Sequence, residues 1–225
     1  MEPAGRQLAT CKLLVDDPEV RAYILKSDQL LEQIGYTEHG MRHACLVSRI
    51  AGNVLGKLEY PERRCELARI AGLLHDIGNF MGRRAHTATG PVVAFSILTR
   101  LGMDPGEIAD VCTAIGHHEE LDMFPTLDVA AALTLADKSD VHRTRVRAPI
   151  DRFDIHDRVN DAAESSFLRV DLEQRTISLE IAIDTAKGSV MEYFEIFLER
   201  MIMCRAAGKA LNCTFGLYIN DTKLQ

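Results

Sequence analysis

The chain has 225 residues, of which 47% are hydrophobic and 26% charged, and it carries a net charge of -7. That mix excludes a disordered or collagen-like chain, and the lack of a basic excess on either side of residue 150 argues against a surface built for nucleic-acid polymers. No run of 18 apolar residues is present to span a membrane, and the opening MEPAGRQLAT lacks the apolar block of a signal peptide, so a cytoplasmic protein with no membrane partner is expected. The six cysteines form no CxxC pair and most sit in apolar runs, which predicts reduced core thiols.

In chain order, Asp17-Pro18 reads as an N-cap followed by proline at the first helical position. Val20, Ile24, Leu31 and Ile34 recur at helical spacing up to Gly35. Thr37 is placed to cap a second helix ending at Gly56, with Val47, Ile50 and Val54 on its inner face. Pro61 opens a third helix through Leu67, Ile70 and Leu74 to Gly78. Further helices are predicted over 90–101, 105–115 and 127–145. No strand alternation competes before residue 150, so residues 1–150 read as an all-α domain.

The period changes in 151–225, which reads as a small α+β domain. Phe167 to Asp171 is a candidate strand, and Ile177, Leu179, Ile181 and Ile183 alternate strictly with polar or small residues. A short turn between the two predicts an antiparallel hairpin. Ser189 followed by Glu192 is a capping-box pattern opening a helix to about Leu211, and Phe215, Leu217 and Ile219 form a last strand. The fold expected is mainly α, a helical bundle followed by a β-β-α-β segment with an antiparallel sheet. Its open edges suggest a homodimer interface or a cover over the mouth of a site.

Of eight histidines, six fall between residues 39 and 118. His75-Asp76 closes an apolar helix, where a carboxylate is costly unless paired or metal-bound. Asp137 stands in the equally apolar Leu133-Thr134-Leu135-Ala136-Asp137. His39 falls on the inner stripe of the second predicted helix, His86 precedes the fourth, and His117-His118-Glu119-Glu120 follows the fifth. Such groups at the ends of helices can converge in a bundle core. Nitrogen and oxygen donors in this mix suit Fe, Mn, Co, Ni or Zn rather than an all-oxygen Mg or Ca cage.

His39, His75-Asp76 and Asp137 together resemble the H…HD…D signature of the HD-domain superfamily of metal-dependent phosphohydrolases. The local frames His39-Gly40-Met41-Arg42, Ala71 to Gly78 and Leu135 to Asp140 are similar as well, and the likeness covers roughly residues 30–145. His86 followed by Gly90, and His117-His118-Glu119, resemble additional ligands of the HD-GYP branch and other two-metal HD proteins. The resemblance implies a helical bundle in which His39, His75 and Asp137 hold one metal, Asp76 bridges, and His86, His117 and His118 hold a second. Leu121 to Pro125 replace the Gly-Tyr-Pro segment of HD-GYP enzymes, and Asn79 stands where they usually carry lysine, so their cyclic dinucleotide is not the expected substrate. Gly35 stands where some of them place a glutamate for a third metal, which favours two. His43, four residues after His39 on the same predicted helical face, competes for the first position and is otherwise expected in the substrate pocket.

A metal pair lowers the pKa of a shared water and neutralises charge on a phosphoryl oxygen, which points to hydrolysis of a small phosphoester or nucleotide. Asp76 and Lys138 are the candidate catalytic groups. Arg83, Arg143 and His43 are candidate substrate contacts, since guanidinium holds phosphate bidentately. Arg84, Arg145 and Arg147 share this chemistry, and ion pairs on a solvated helix face are the alternative for the whole arginine group. Two further functions stay open: oxidation by dioxygen at a two-iron site of closely similar ligands using one of His117 or His118, and a regulatory module with a vestigial site. His142 and His156 have no partner at motif spacing.

Overall fold

A computed structural model describes residues 9–119 and 126–224. The segment Leu121 to Pro125, and Glu120 before it, lie outside the described residues. Seven helices build the first part: α1 (Cys11–Asp16), α2 (Pro18–Gln33), α3 (Met41–Lys57), α4 (Glu62–Leu74), α5 (His86–Arg100), α6 (Pro105–Gly116) and α7 (Asp128–Lys138). α3 packs against both α4 and α7, and α5 against α6, so α4 and α7 lie in the middle of the bundle. Every residue of α7 from Val129 to Lys138 is buried, which explains why its sequence is a nearly unbroken apolar run up to Asp137.

The caps read from the sequence are built as expected at α2, where the Asp17 carboxylate accepts from the Glu19 and Val20 N–H groups. The start of α3 differs. Thr37 does not cap it. The His39 N–H donates to Asp28 Oδ1 at 2.9 Å and the Gly40 N–H to Glu38 Oε1 at 2.7 Å, which holds residues 39 and 40 out of the helix. Helix α3 therefore begins two residues beyond His39. The helix predicted over 127–145 also stops early, at Lys138, and the chain turns before a 3-10 turn at Arg143–Arg145.

A short helix α8 (Ile155–Ala162), absent from the sequence reading, precedes β1 (Ala163–Asp171), β2 (Thr176–Ile183), α9 (Val190–Ala210), β3 (Thr214–Ile219) and β4 (Thr222–Lys223). The capping box at Ser189 and Glu192 opens α9 as predicted. The four-stranded sheet has the order β1-β2-β3-β4 and is mixed, not antiparallel throughout. β1 and β2 form the predicted antiparallel hairpin, whereas β2 and β3 pair in parallel, Thr176 facing Thr214 and Ile181 facing Ile219. The reason is the connection: a single helix carries the chain back to the end where β2 began, so the next strand runs the same way.

Ile177, Leu179, Ile181 and Ile183 are buried together with Phe215, Leu217 and Ile219. The sheet faces α9, and α9 lies on α7. The buried apolar residues of the helical part and of the sheet belong to one cluster. All six cysteines are free thiols. Among the described residues no helix is long and apolar enough to cross a membrane.

Candidate metal centre

Four imidazoles meet where α3, the end of α4, the start of α5, the end of α6 and α7 converge. His43 comes from α3, His75 caps α4, His86 opens α5 and His118 follows α6. All four are buried, with Asp76 and Asp137 beside them. Each ring is held by its Nδ1. His75 donates to Gly72 O at 2.8 Å, His86 to Arg83 O at 2.8 Å, His118 to Ile115 O at 2.7 Å and His43 to the Asp140 carboxylate at 2.7 Å. With the proton on Nδ1, the neutral ring turns a bare lone pair inward on Nε2.

Those lone pairs face one another. His43 Nε2 lies 3.2 Å from His75 Nε2, and His86 Nε2 lies 3.4 Å from His118 Nε2. Two facing acceptors cannot hydrogen-bond to each other, so each pair calls for a proton or a metal ion between its nitrogens. The carboxylates complete two groups. Asp137 Oδ1 is 3.3 Å from His43 Nε2 and 3.6 Å from His75 Nε2. Asp76 turns Oδ2 toward His75, at 3.4 Å, and Oδ1 toward His86, at 3.6 Å, so it stands between the groups. The donor sets His43–His75–Asp76, His75–His118–Asp137 and Asp76–His86–His118 each lie within 4.8 Å. Nitrogen and carboxylate donors at this spacing fit divalent transition metals. The buried Asn79 side chain donates to Asp76 Oδ1 at 2.8 Å and, among the described residues, leaves its own Oδ1 without a partner, a further acceptor at the edge of the group.

The charge balance agrees. Burial opposes protonation of His75, but Asp76 and Asp137 outweigh it and push the ring up to about 10. A proton is thus held where a metal would replace it. Burial pushes His118 down to about 3, and it lowers His86 as well. Burial disfavours the charge on Asp76 and Asp137, yet the neighbouring cations hold both well below the ordinary carboxylate range.

Two residues expected as ligands stand elsewhere. His39, displaced from the helix by its Asp28 and Glu38 contacts, has Nδ1 on Thr37 O at 2.6 Å and accepts from the Arg145 guanidinium on Nε2 at 3.0 Å. It belongs to no donor group among the described residues and lines a cavity beside the cluster, while His43 stands in the donor group with His75 and Asp76. His117 caps α6, is half-buried and belongs to no donor group among the described residues, because adjacent residues at a helix end project differently.

The cations divide in the same way. Lys138 is buried, with Nζ 2.6 Å from Asp137 Oδ2 and 3.7 Å from Glu119. Arg83 Nη2 donates to both Glu119 carboxylate oxygens at 2.9 Å, and its Nη1 approaches His86 Nε2 at 3.0 Å and Asp76 Oδ1 at 3.6 Å. Arg143, expected at the substrate, instead donates to Glu164 of β1 at 2.9 Å, because α7 ends before reaching it. Arg147 pairs with Asp28, and Arg84 is exposed. Sequence reasoning missed Asp140, Asn79 and Arg200; the first two lie at i+3 from the metal-facing aspartates Asp137 and Asp76, the one signal that could have found them.

Residues 36–142 match the family model of the HD domain. No curated protein matches the chain.

Proposed function

The chain belongs to the HD-domain family through residues 36–142, and from that premise we propose that it is a metal-dependent phosphohydrolase acting on a small phosphoester or nucleotide with a pair of divalent transition-metal ions, Fe, Mn, Co, Ni or Zn. The family is a superfamily of metal-dependent phosphohydrolases. The observation that carries the reading is the inward convergence of four anchored imidazole Nε2 atoms on Asp76 and Asp137.

His43, His75, Asp137 and Asp76 Oδ2 would hold one ion, and Asp76 Oδ1, His86 and His118 the other. When bound, such ions lower the pKa of water toward neutrality and neutralise charge developing on phosphoryl oxygens. Around them the chain's own groups do separate work. The backbone carbonyls and Asp140 fix each ring so that no reorientation is needed. Lys138 offsets the negative charge of Asp137. Arg83, held in place by Glu119, presents a guanidinium edge beside Asp76 for a phosphoryl oxygen.

The test is phosphoester hydrolysis with Mn, Fe, Co or Ni supplied, on wild type and His75→Ala. The variant is expected to lose at least about 100-fold in kcat/KM, in line with removing a residue that acts as part of one unit. Equal activity in the two would end the proposal. One observation favours a second reading, oxidation of the substrate by dioxygen at two irons: only His118 of the adjacent pair lies in the donor groups. Oxygen uptake by anaerobically purified, iron-loaded protein separates the readings.

A further inference from the structure

Beside the donor cluster lies a cavity of about 330 Å³, at the lower end of the range for small-molecule sites. His39, Arg83 and Arg145 come to it from the HD-domain side, and Arg200, His156 and Asn160 from the C-terminal part of the chain. A smaller recess of about 180 Å³ is lined by Arg83, Glu119, Lys138, Glu199, Arg200 and Met203. Arg83 and Arg200 border both spaces, so together the two run along the mouth of the cluster.

The three arginines are not equivalent. Arg83 is committed to Glu119 and lies against Asp76. Arg145 is buried and spends its donors on Asp140 O, Glu38 O and His39. Arg200 stacks its guanidinium 4.4 Å over the Phe197 ring, one turn earlier on α9, and among the described residues makes neither a hydrogen bond nor an ion pair within 4.0 Å. A guanidinium stays charged in any protein setting, and one half-buried without an anion is costly. The stacking fixes its plane and leaves its fork of N–H donors for a planar or tetrahedral anion. Arg83 already stands beside Asp76 for the reacting phosphoryl group, and Arg200, with no described carboxylate within 4.0 Å of it, is the guanidinium left for a further anion.

We propose, on the basis of the phosphohydrolase reading above, that Arg200 is the specificity anchor of the substrate pocket, and that the substrate is a small phosphoester bearing a second anionic group, carboxylate or phosphate, held by this side chain. The residue lies outside 36–142, so the C-terminal part of this chain supplies a selection that the HD domain alone does not.

The test compares metal-loaded wild type, R200Q and R200K on phenyl phosphate, 4-carboxyphenyl phosphate and 1,4-phenylene bisphosphate, following released phosphate. Wild type is expected to prefer one or both doubly anionic esters in kcat/KM, chiefly through KM. R200Q lowers that preference about tenfold or more, the scale of a charge-assisted hydrogen bond, and R200K, which keeps the charge without the fork, falls between. Whichever doubly anionic ester loses its preference identifies the second anion as carboxylate or phosphate. A preference unchanged in R200Q, or absent in wild type, overturns the anchor. If wild type hydrolyses none of the esters, the phosphohydrolase reading fails, and the anchor is judged by calorimetric titration with 3-phosphonopropionate and methylphosphonate. Tighter binding of the first, lost about tenfold in R200Q, upholds the anchor, and equal binding rejects it.

Discussion

The Asp140 carboxylate accepts from His43 Nδ1 at 2.7 Å and from Arg42 Nη2 at 2.9 Å, while its own backbone carbonyl accepts from Arg145. It touches no inward-facing Nε2, yet it fixes which nitrogen of His43 carries the proton and therefore which one is offered to a metal. Asp140→Asn is expected to weaken metal affinity about 10- to 100-fold while the chain still folds, as read by chelator competition. Unchanged affinity would remove the orienting role. At this scale His75, Asp76 and Asp137 stand out in the sequence as costly polar groups in apolar runs, whereas His86 and His118 rest on the family resemblance. The choice of His43 over His39 was not legible. Both fit an i, i+4 face on paper, and the decision rests on where α3 begins, which Asp28, eleven residues before His39, helps to set through a tertiary hydrogen bond.

The elements hold the cluster by close approach. Gly72 of α4 faces α3 so tightly that an added Cβ would lie 2.6 Å from Ser48 Cα and 2.8 Å from Ser48 N, both backbone atoms that a rotamer change does not move. Since the Gly72 carbonyl also receives His75 Nδ1–H, this contact sets the height of His75 against His43. Gly72→Ala is expected to cost about 1–3 kcal/mol, seen as a lower midpoint in urea denaturation. A midpoint equal to wild type would mean that α3 and α4 separate at no cost. Long helices with capping signals, such as those after Asp17 and Ser189, were readable from the chain. The six-residue α1 and eight-residue α8 were not, because one or two turns show no clear period. The capping box of α8 uses Asp157 in place of the usual Glu, which hides the pattern.

In the molecule as a whole, the C-terminal part that carried no recognisable chemistry becomes a wall of the site. Its alternating strands predicted a sheet correctly, but strand alternation says nothing of direction, so the parallel β2–β3 pairing was not visible. Nor was the docking of α9 on α7, which follows from one shared apolar core. That docking brings Arg200 to the cavity that His39 and Arg83 border. The whole arrangement stands on one claim, that His43 belongs to the metal-holding cluster and His39 to the pocket beside it. Metal ions counted per chain, in wild type, His39→Ala and His43→Ala protein purified with Mn or Fe, test it most directly. Wild type and His39→Ala are expected to hold the same metal content, with at least one ion lost in His43→Ala. Metal retained in full by His43→Ala and lost from His39→Ala would contradict it.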